Sequence, residues 1–365
     1  MDTHQAETKE IPSNIVKPFD PKKIDIQTKQ MILEVIFRRL RHDEIDLLTG
    51  FQRKTDLWDA TQQSRLIESI LIRFPLPAFY FDGSDDNKWL VVDGLQRLST
   101  FKNFIVDKKL RLQNLEYLTQ FNDKTFDELP RDLQRRIEEH EIIVYIINPG
   151  TPIDVKYNIF KRINTSGLVL KPAEIRHALN QGKPADLIGE LSQLEVFKEA
   201  TSHSILTERM SDRDYITRFV AFYLHPATEY QGDLEQHLNT AMYAINHLNQ
   251  ENLAEITRNF TTAMITAKQI FGNDAFRKRF YVEDKKRRLN KALFEVWSVL
   301  LSKLTAEQQQ KLIHHAEQVK QHFMALLNSS AEFKKSISAA AGNKKSVMIR
   351  FSKINALIEK VLKND

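Results

Sequence analysis

None of the 365 residues is a cysteine. That absence excludes a disulfide framework, a thiolate zinc site and a cysteine nucleophile together, and it suits a reducing compartment. Long apolar runs are also missing. The longest, such as Ile142 to Ile147, fall far below the roughly 18 residues needed to span a bilayer. Met1 to Pro12 is polar and acidic-tinged, with no apolar stretch, and does not read as a secretory signal. A cytoplasmic protein without a membrane partner is expected. Catalytic signatures are missing as well: there is no G-x-x-x-x-G-K-[ST] loop, no H-E-x-x-H, and no histidine–asparagine–histidine nuclease arrangement in the C-terminal half. Nucleotide chemistry of the P-loop type is therefore excluded, and nuclease activity in this chain is not expected. His314 and His315 are neighbours within a predicted helix, where their side chains would point about 100° apart; they make a poor metal site.

What is present is an ordinary globular composition, 42% hydrophobic and 28% charged. The length favours two domains. A net charge of +5 and a pI near 9.0 are mild for a protein that grips DNA unaided. The charge is clustered, however, at Arg38-Arg39 with Arg41, at Arg277-Lys278-Arg279 and at Lys285-Lys286-Arg287-Arg288. Basic runs on helices commonly form solvated faces; the last two clusters are the candidate DNA-binding residues.

The chain reads as three segments. Residues 1–27, with Pro12, Pro18 and Pro21 and no sustained period, look like a leader. Residues 28–182 mix helices and strands. A helix is expected over Gln27–Arg41, and a second one, capped by Thr61, carries Leu66, Ile67, Ile70, Leu71 and Phe74 on one face until Pro75 and Pro77 stop it. Ala78–Phe81, Trp89–Val92 and Ile142–Ile147 read as strands. Thr151-Pro152-Ile153-Asp154 has the composition of a helix start. From residue 183 to 365 only helical periods occur, including Ser211–Leu224, Leu253–Phe271 and a long one over Ala306–Leu327. The fold class expected is α+β, a small mixed sheet followed by an all-α domain.

The strongest chemical signal is Val91-Val92-Asp93-Gly94-Leu95-Gln96-Arg97-Leu98, a buried strand turning directly into a helix. Unpaired N–H groups at such a helix start can hold an anion. Gly94 would allow close approach, and Gln96 and Arg97 in the first turn could reach the same anion. Asp93 could position water or a divalent cation. The plainer alternative is that Asp93 caps the helix and pairs with Arg97. Phe51-Gln52-Arg53 before Trp58 offers a second arginine, or merely a packed surface loop. Phe160-Lys161-Arg162-Ile163-Asn164-Thr165-Ser166-Gly167, followed by Glu174-Ile175-Arg176, reads by itself as a helix–turn–helix joint with Glu174 and Arg176 paired in solvent.

Taken in this order and spacing, the motifs resemble the N-terminal domain family of the GmrSD-type modification-dependent restriction enzymes, over roughly residues 30–182. The resemblance implies a ParB/sulfiredoxin-like fold that binds and can hydrolyse a nucleoside triphosphate, with Mg2+. It implies Asp93 as the catalytic or metal-associated carboxylate and Gln96 and Arg97 as catalytic phosphate or water ligands. Gln52, Arg53 and Gly94 would line the nucleotide cleft, and Arg162 and Asn164 would lie near its rim. DNA, and a partner protein or a second copy of the chain, are the implied partners. Two departures stand out: Leu95 occupies a position where many members carry glutamine, and the C-terminal nuclease usual in full-length enzymes is not recognisable. A non-catalytic DNA-binding or modification-reading module, or a regulatory adaptor, is the alternative.

Overall fold

The computed structural model describes residues 21–47, 58–163, 170–338 and 341–363. These fall into two compact units, Phe19–Leu179 and the chain from Asn180 to Asp365. No helix among the described residues is long and apolar enough to cross a membrane.

The first unit is α+β. Its strands are β1 (Ile26–Ile32), β2 (Ile45–Asp46), β3 (Phe79–Asp82), β4 (Trp89–Asp93) and β5 (Glu141–Ile147), and its helices are α1 (Leu33–Arg41), α2 (Ala60–Leu71), α3 (Leu95–Phe101), α4 (Arg131–Glu138), α5 (Ile153–Ile163) and α6 (Pro172–Leu179). The strands form one mixed sheet in the order β1-β5-β3-β4-β2. β5 runs antiparallel to β1 and parallel to β3, and β4 runs antiparallel to β3 and parallel to β2. The alternation of a strand sends Phe79 and Phe81, Val91, and Ile142, Val144 and Ile146 into one core. Leu33, Ile36, Phe37 and Leu40 of α1 meet them with the i, i+3, i+4, i+7 spacing of a helix face. Each such side chain contributes on the order of 2 kcal/mol by leaving water. The opposite face of the sheet takes α5, whose buried Lys156 reaches Asp82 of β3 at 3.0 and 3.1 Å.

Several local expectations are corrected. Residues Ile26–Ile32 are an edge strand, and α1 begins only at Leu33. The Asp25 carbonyl accepts the Asn148 N–H, and the ladder to β5 holds the strand, although most of its side chains are exposed. α2 is capped by Asp59, not Thr61, in a reciprocal capping box with Gln62. It stops at Leu71, before the prolines: Arg73 takes φ 65° and Phe74 is left exposed.

The second unit contains only helices among its described residues, apart from one isolated bridge between Arg277 and Leu289. Its core is built around Phe219, Phe260, Phe294, Trp297 and Phe323. Glu295, fully buried, accepts from Arg350 Nε at 2.8 Å and lies 3.4 Å from Arg218. The expected long helix over Ala306–Leu327 is two, Ala306–His314 and Ala316–Ser329. The break falls at the histidine pair, and the His314 and His315 rings meet edge to face at 4.9 Å.

Candidate functional site

β4 leaves the sheet at Asp93, and the chain turns at Gly94, with φ 102°, into α3. Only glycine takes this left-handed conformation without strain. A Cβ built on Gly94 would lie 2.6 Å from the Phe79 ring and 3.3 Å from Arg97 Nη2. The room that glycine leaves is thus filled from inside by Phe79 and Arg97, and the expectation that it opens the turn to a ligand is corrected.

Arg97 is 8% exposed. Its Nη2 donates to Asp93 Oδ2 at 2.9 Å and to the Ala78 carbonyl at 3.2 Å, its Nη1 donates to the Pro77 carbonyl, and the guanidinium lies 4.2 Å over the Phe79 ring. Burial pulls its pKa below the ordinary arginine value, against the opposing pull of Asp93. This fork faces protein carbonyls and one carboxylate, so Arg97 joins the proline-containing stretch to the turn and positions Asp93. Asp93 does not cap the helix: the N-cap is Gly94, with no side-chain bond.

Asp93 itself has a side chain 36% exposed. Oδ2 is fixed by Arg97, and Oδ1 has no hydrogen bond among the described residues. A register shift between Tyr80 and Phe81 sets Asp93 opposite Tyr80, and Tyr80 pairs in turn with Tyr145. The two phenol rings stack at 4.7 Å, both half-buried. Burial, then Tyr145 and Asp93, raise the Tyr80 pKa, so this phenol keeps its proton. Gln96 Oε1 accepts the Trp58 backbone N–H at 3.1 Å, and Gln63 Nε2 donates to the Trp58 carbonyl at 2.9 Å. Trp58, the end of the Phe51-Gln52-Arg53…Trp58 motif, is therefore brought to the first turn of α3. Leu95 is buried in the core, so its side chain faces away from the half-exposed Asp93 and Gln96.

Gln52, Arg53 and Asn164 lie outside the described residues. Arg162 is exposed in the last turn of α5. Glu174 and Arg176 are 3% and 2% exposed, which corrects their reading as a solvent pair: the Glu174 carboxylate accepts the Lys171 N–H at 2.6 Å, inside the start of α6. Sequence reasoning passed over Tyr80, Tyr145, Asp82 and Lys156. Of these, only the alternation of β3 and β5 could have set Tyr80 and Tyr145 on a common face.

In the second unit, the basic residues singled out as candidate DNA contacts lie in a non-helical stretch between Asp274 and Lys291. Arg277 is turned inward, 3% exposed, and donates to the Thr201 and Asn273 carbonyls. Lys278 and Arg279 are half-buried, whereas Lys285, Lys286, Arg287 and Arg288 are exposed. Among the described residues no group of three or more histidines and carboxylates is placed to hold a metal ion.

No curated protein and no solved structure matches the sequence. A family match falls on the unit carrying the Asp93 turn: residues 34–180 match the family model described as GmrSD restriction endonuclease, N-terminal domain.

Proposed function

We propose that the Asp93–Gln96 turn is the floor of a nucleotide-binding cleft, and that the protein is an NTP-hydrolysing component of a restriction or DNA-defence system. The coarser part of this reading, a restriction-type component, follows from the family domain. The finer part rests on one observation, the state of Asp93: a half-exposed carboxylate held through one oxygen, with the other unpaired among the described residues. Such a group can orient an attacking water, or accept a divalent cation that arrives with a polyphosphate.

The residues suit a cation delivered with its ligand better than a resident one. A lone carboxylate is a weak metal site, but Mg2+ commonly combines one or two carboxylates with phosphate oxygens. When bound, it would supply charge neutralisation on the phosphates, and Asp93 would be the residue that holds it or orients a water beside it. Gln96 fixes the Trp58 peptide at the edge of the cleft, Tyr80 presents a protonated phenol beside Asp93, and Arg97 acts as a positioning residue. Arg53, Gln52, Arg162 and Asn164 are the residues proposed to reach the phosphates. DNA, and a partner protein or second copy of the chain that supplies the effector, complete the proposal.

Turnover tests it. Purified protein with Mg2+ should hydrolyse a nucleoside triphosphate, and Asp93→Asn, which keeps a hydrogen bond to Arg97, should lower the rate by at least about a hundredfold. Absence of turnover together with DNA binding that weakens steeply with salt would instead favour the non-catalytic DNA-binding module.

A further inference from the structure

Between the turn at Gly272–Asp274 and the helix Lys291–Ser302 the chain makes an excursion closed at its neck. Arg277 bridges to Leu289, and the Asn290 N–H reaches the Phe276 carbonyl at 2.9 Å. The buried Arg277 side chain donates to Ser204 Oγ at 2.8 Å and to the Arg287 carbonyl, tying both arms to the helical core. Asp284 accepts the N–H groups of Phe280 and Tyr281 at 2.8 and 3.4 Å. Asn328 donates to the Phe280 carbonyl at 2.8 Å, and the Arg287 guanidinium lies 4.8 Å over the Phe280 ring. The excursion is therefore pinned on every side but its tip.

The tip presents two apolar side chains to water, Tyr281 at 63% and Val282 at 65% exposure. Residues 277–288 hold seven basic and two acidic side chains. One of the two acids, Asp284, already pairs with Arg287 at 3.5 Å. Lys285, Lys286 and Arg288 are exposed and make no ion pair among the described residues. Burial and the cations Arg277 and Lys268 pull the Lys286 pKa down, as expected where positive charge is concentrated.

We propose that this excursion is a nucleic-acid-binding tip, on which Tyr281 stacks against an unpaired base while Lys285, Lys286 and Arg288 contact the flanking phosphates. An exposed aromatic among cations fits a polyanion that carries flat rings. An anionic membrane would match the charge, but one tyrosine and one valine give it little apolar surface to hold. The site lies in the unit outside the family match and is independent of the Asp93 cleft.

The test is fluorescence anisotropy on the full chain, without nucleoside triphosphate, so that failure here is separate from failure at Asp93. The probes are a single strand, a matched short duplex and the same duplex with one unpaired base. The expected result is tighter binding to the single strand and the unpaired-base duplex than to the matched one. Tyr281→Ala should weaken those two by roughly tenfold and Tyr281→Phe should retain them. The triple variant Lys285→Ala/Lys286→Ala/Arg288→Ala should weaken all three probes and flatten the salt dependence by about two to three phosphate contacts. Because all four side chains are exposed, the variants should keep the wild-type circular dichroism and melting temperature. The proposal is overturned if Tyr281→Ala binds every probe as the wild type does. It is equally overturned if the protein binds phosphatidylserine vesicles and none of the nucleic acids.

Discussion

At Gly94 an added methyl would meet the Phe79 ring at 2.6 Å, in a backbone conformation of φ +102°. Strain of the left-handed backbone and the overlap together should make Gly94→Ala cost about 3 kcal/mol, measured as a fall in the denaturant midpoint. A variant as stable as the wild type would contradict the packing described. Arg97 carries the matching prediction. Removing it strands the Asp93 carboxylate and the Pro77 and Ala78 carbonyls, so Arg97→Ala should lose roughly 3–5 kcal/mol of stability. Any loss of activity in that variant reports on folding as well as on the cleft, which makes Asp93→Asn the cleaner probe. Arg97 was legible as part of a site, but its direction was not: the carbonyls it meets lie 19 and 20 positions upstream, beyond any local pattern.

Among the elements, the salt bridge between Lys156 of α5 and Asp82 of β3 fixes the helix whose last turn carries Arg162. Both side chains are below 10% exposed. Lys156→Ala should destabilise the first unit by about 3 kcal/mol, because it leaves a buried carboxylate without its counter-charge and with only Ser84 as partner, whereas Lys156→Met with Asp82→Leu should recover most of that loss. Equal losses in the single and double variants would show that the pair does not act as a unit. This bridge joins residues 74 positions apart, so neither motif nor period announces it. The strands β3, β4 and β5 were readable because their apolar residues continue or alternate over the full element. β1 was not, since Gln27, Thr28, Lys29 and Gln30 are exposed on an edge strand and only Ile26 and Met31 are partly buried. Similarly, the helical period runs unbroken through His314 and His315, so the break there left no trace in the pattern. A strand meeting a helix pointed to Asp93 and Gln96 as candidates. Tyr80 and Tyr145 needed the parallel pairing of β3 with β5 to become neighbours.

For the molecule as a whole, the burial of His237 ties stability to pH. His237 packs on Phe222 at 4.5 Å and Tyr230 at 5.1 Å, and its Nε2 is buried without a hydrogen bond among the described residues. Burial, with a further contribution from His225, pushes its pKa down to about 4. An unfolded histidine titrates near 6.5, so between these values the unfolded chain binds the proton that the folded chain refuses. The stability from neutral His237 is complete above pH ~6.5 and is lost as pH falls toward 4. The melting temperature should decline over that window, and His237→Leu should flatten the decline; an unchanged acid limb would contradict the assignment. The central claim concerns the other unit, where a family domain and an open carboxylate coincide. Titration calorimetry of the full chain with Mg2+ and each nucleoside triphosphate tests it most directly. Saturable binding of at least one triphosphate, lost with Mg2+ removal and strongly weakened in a folded Asp93→Asn variant, is the predicted result. Heats of binding that are absent for every triphosphate, or unchanged by Asp93→Asn, would contradict it.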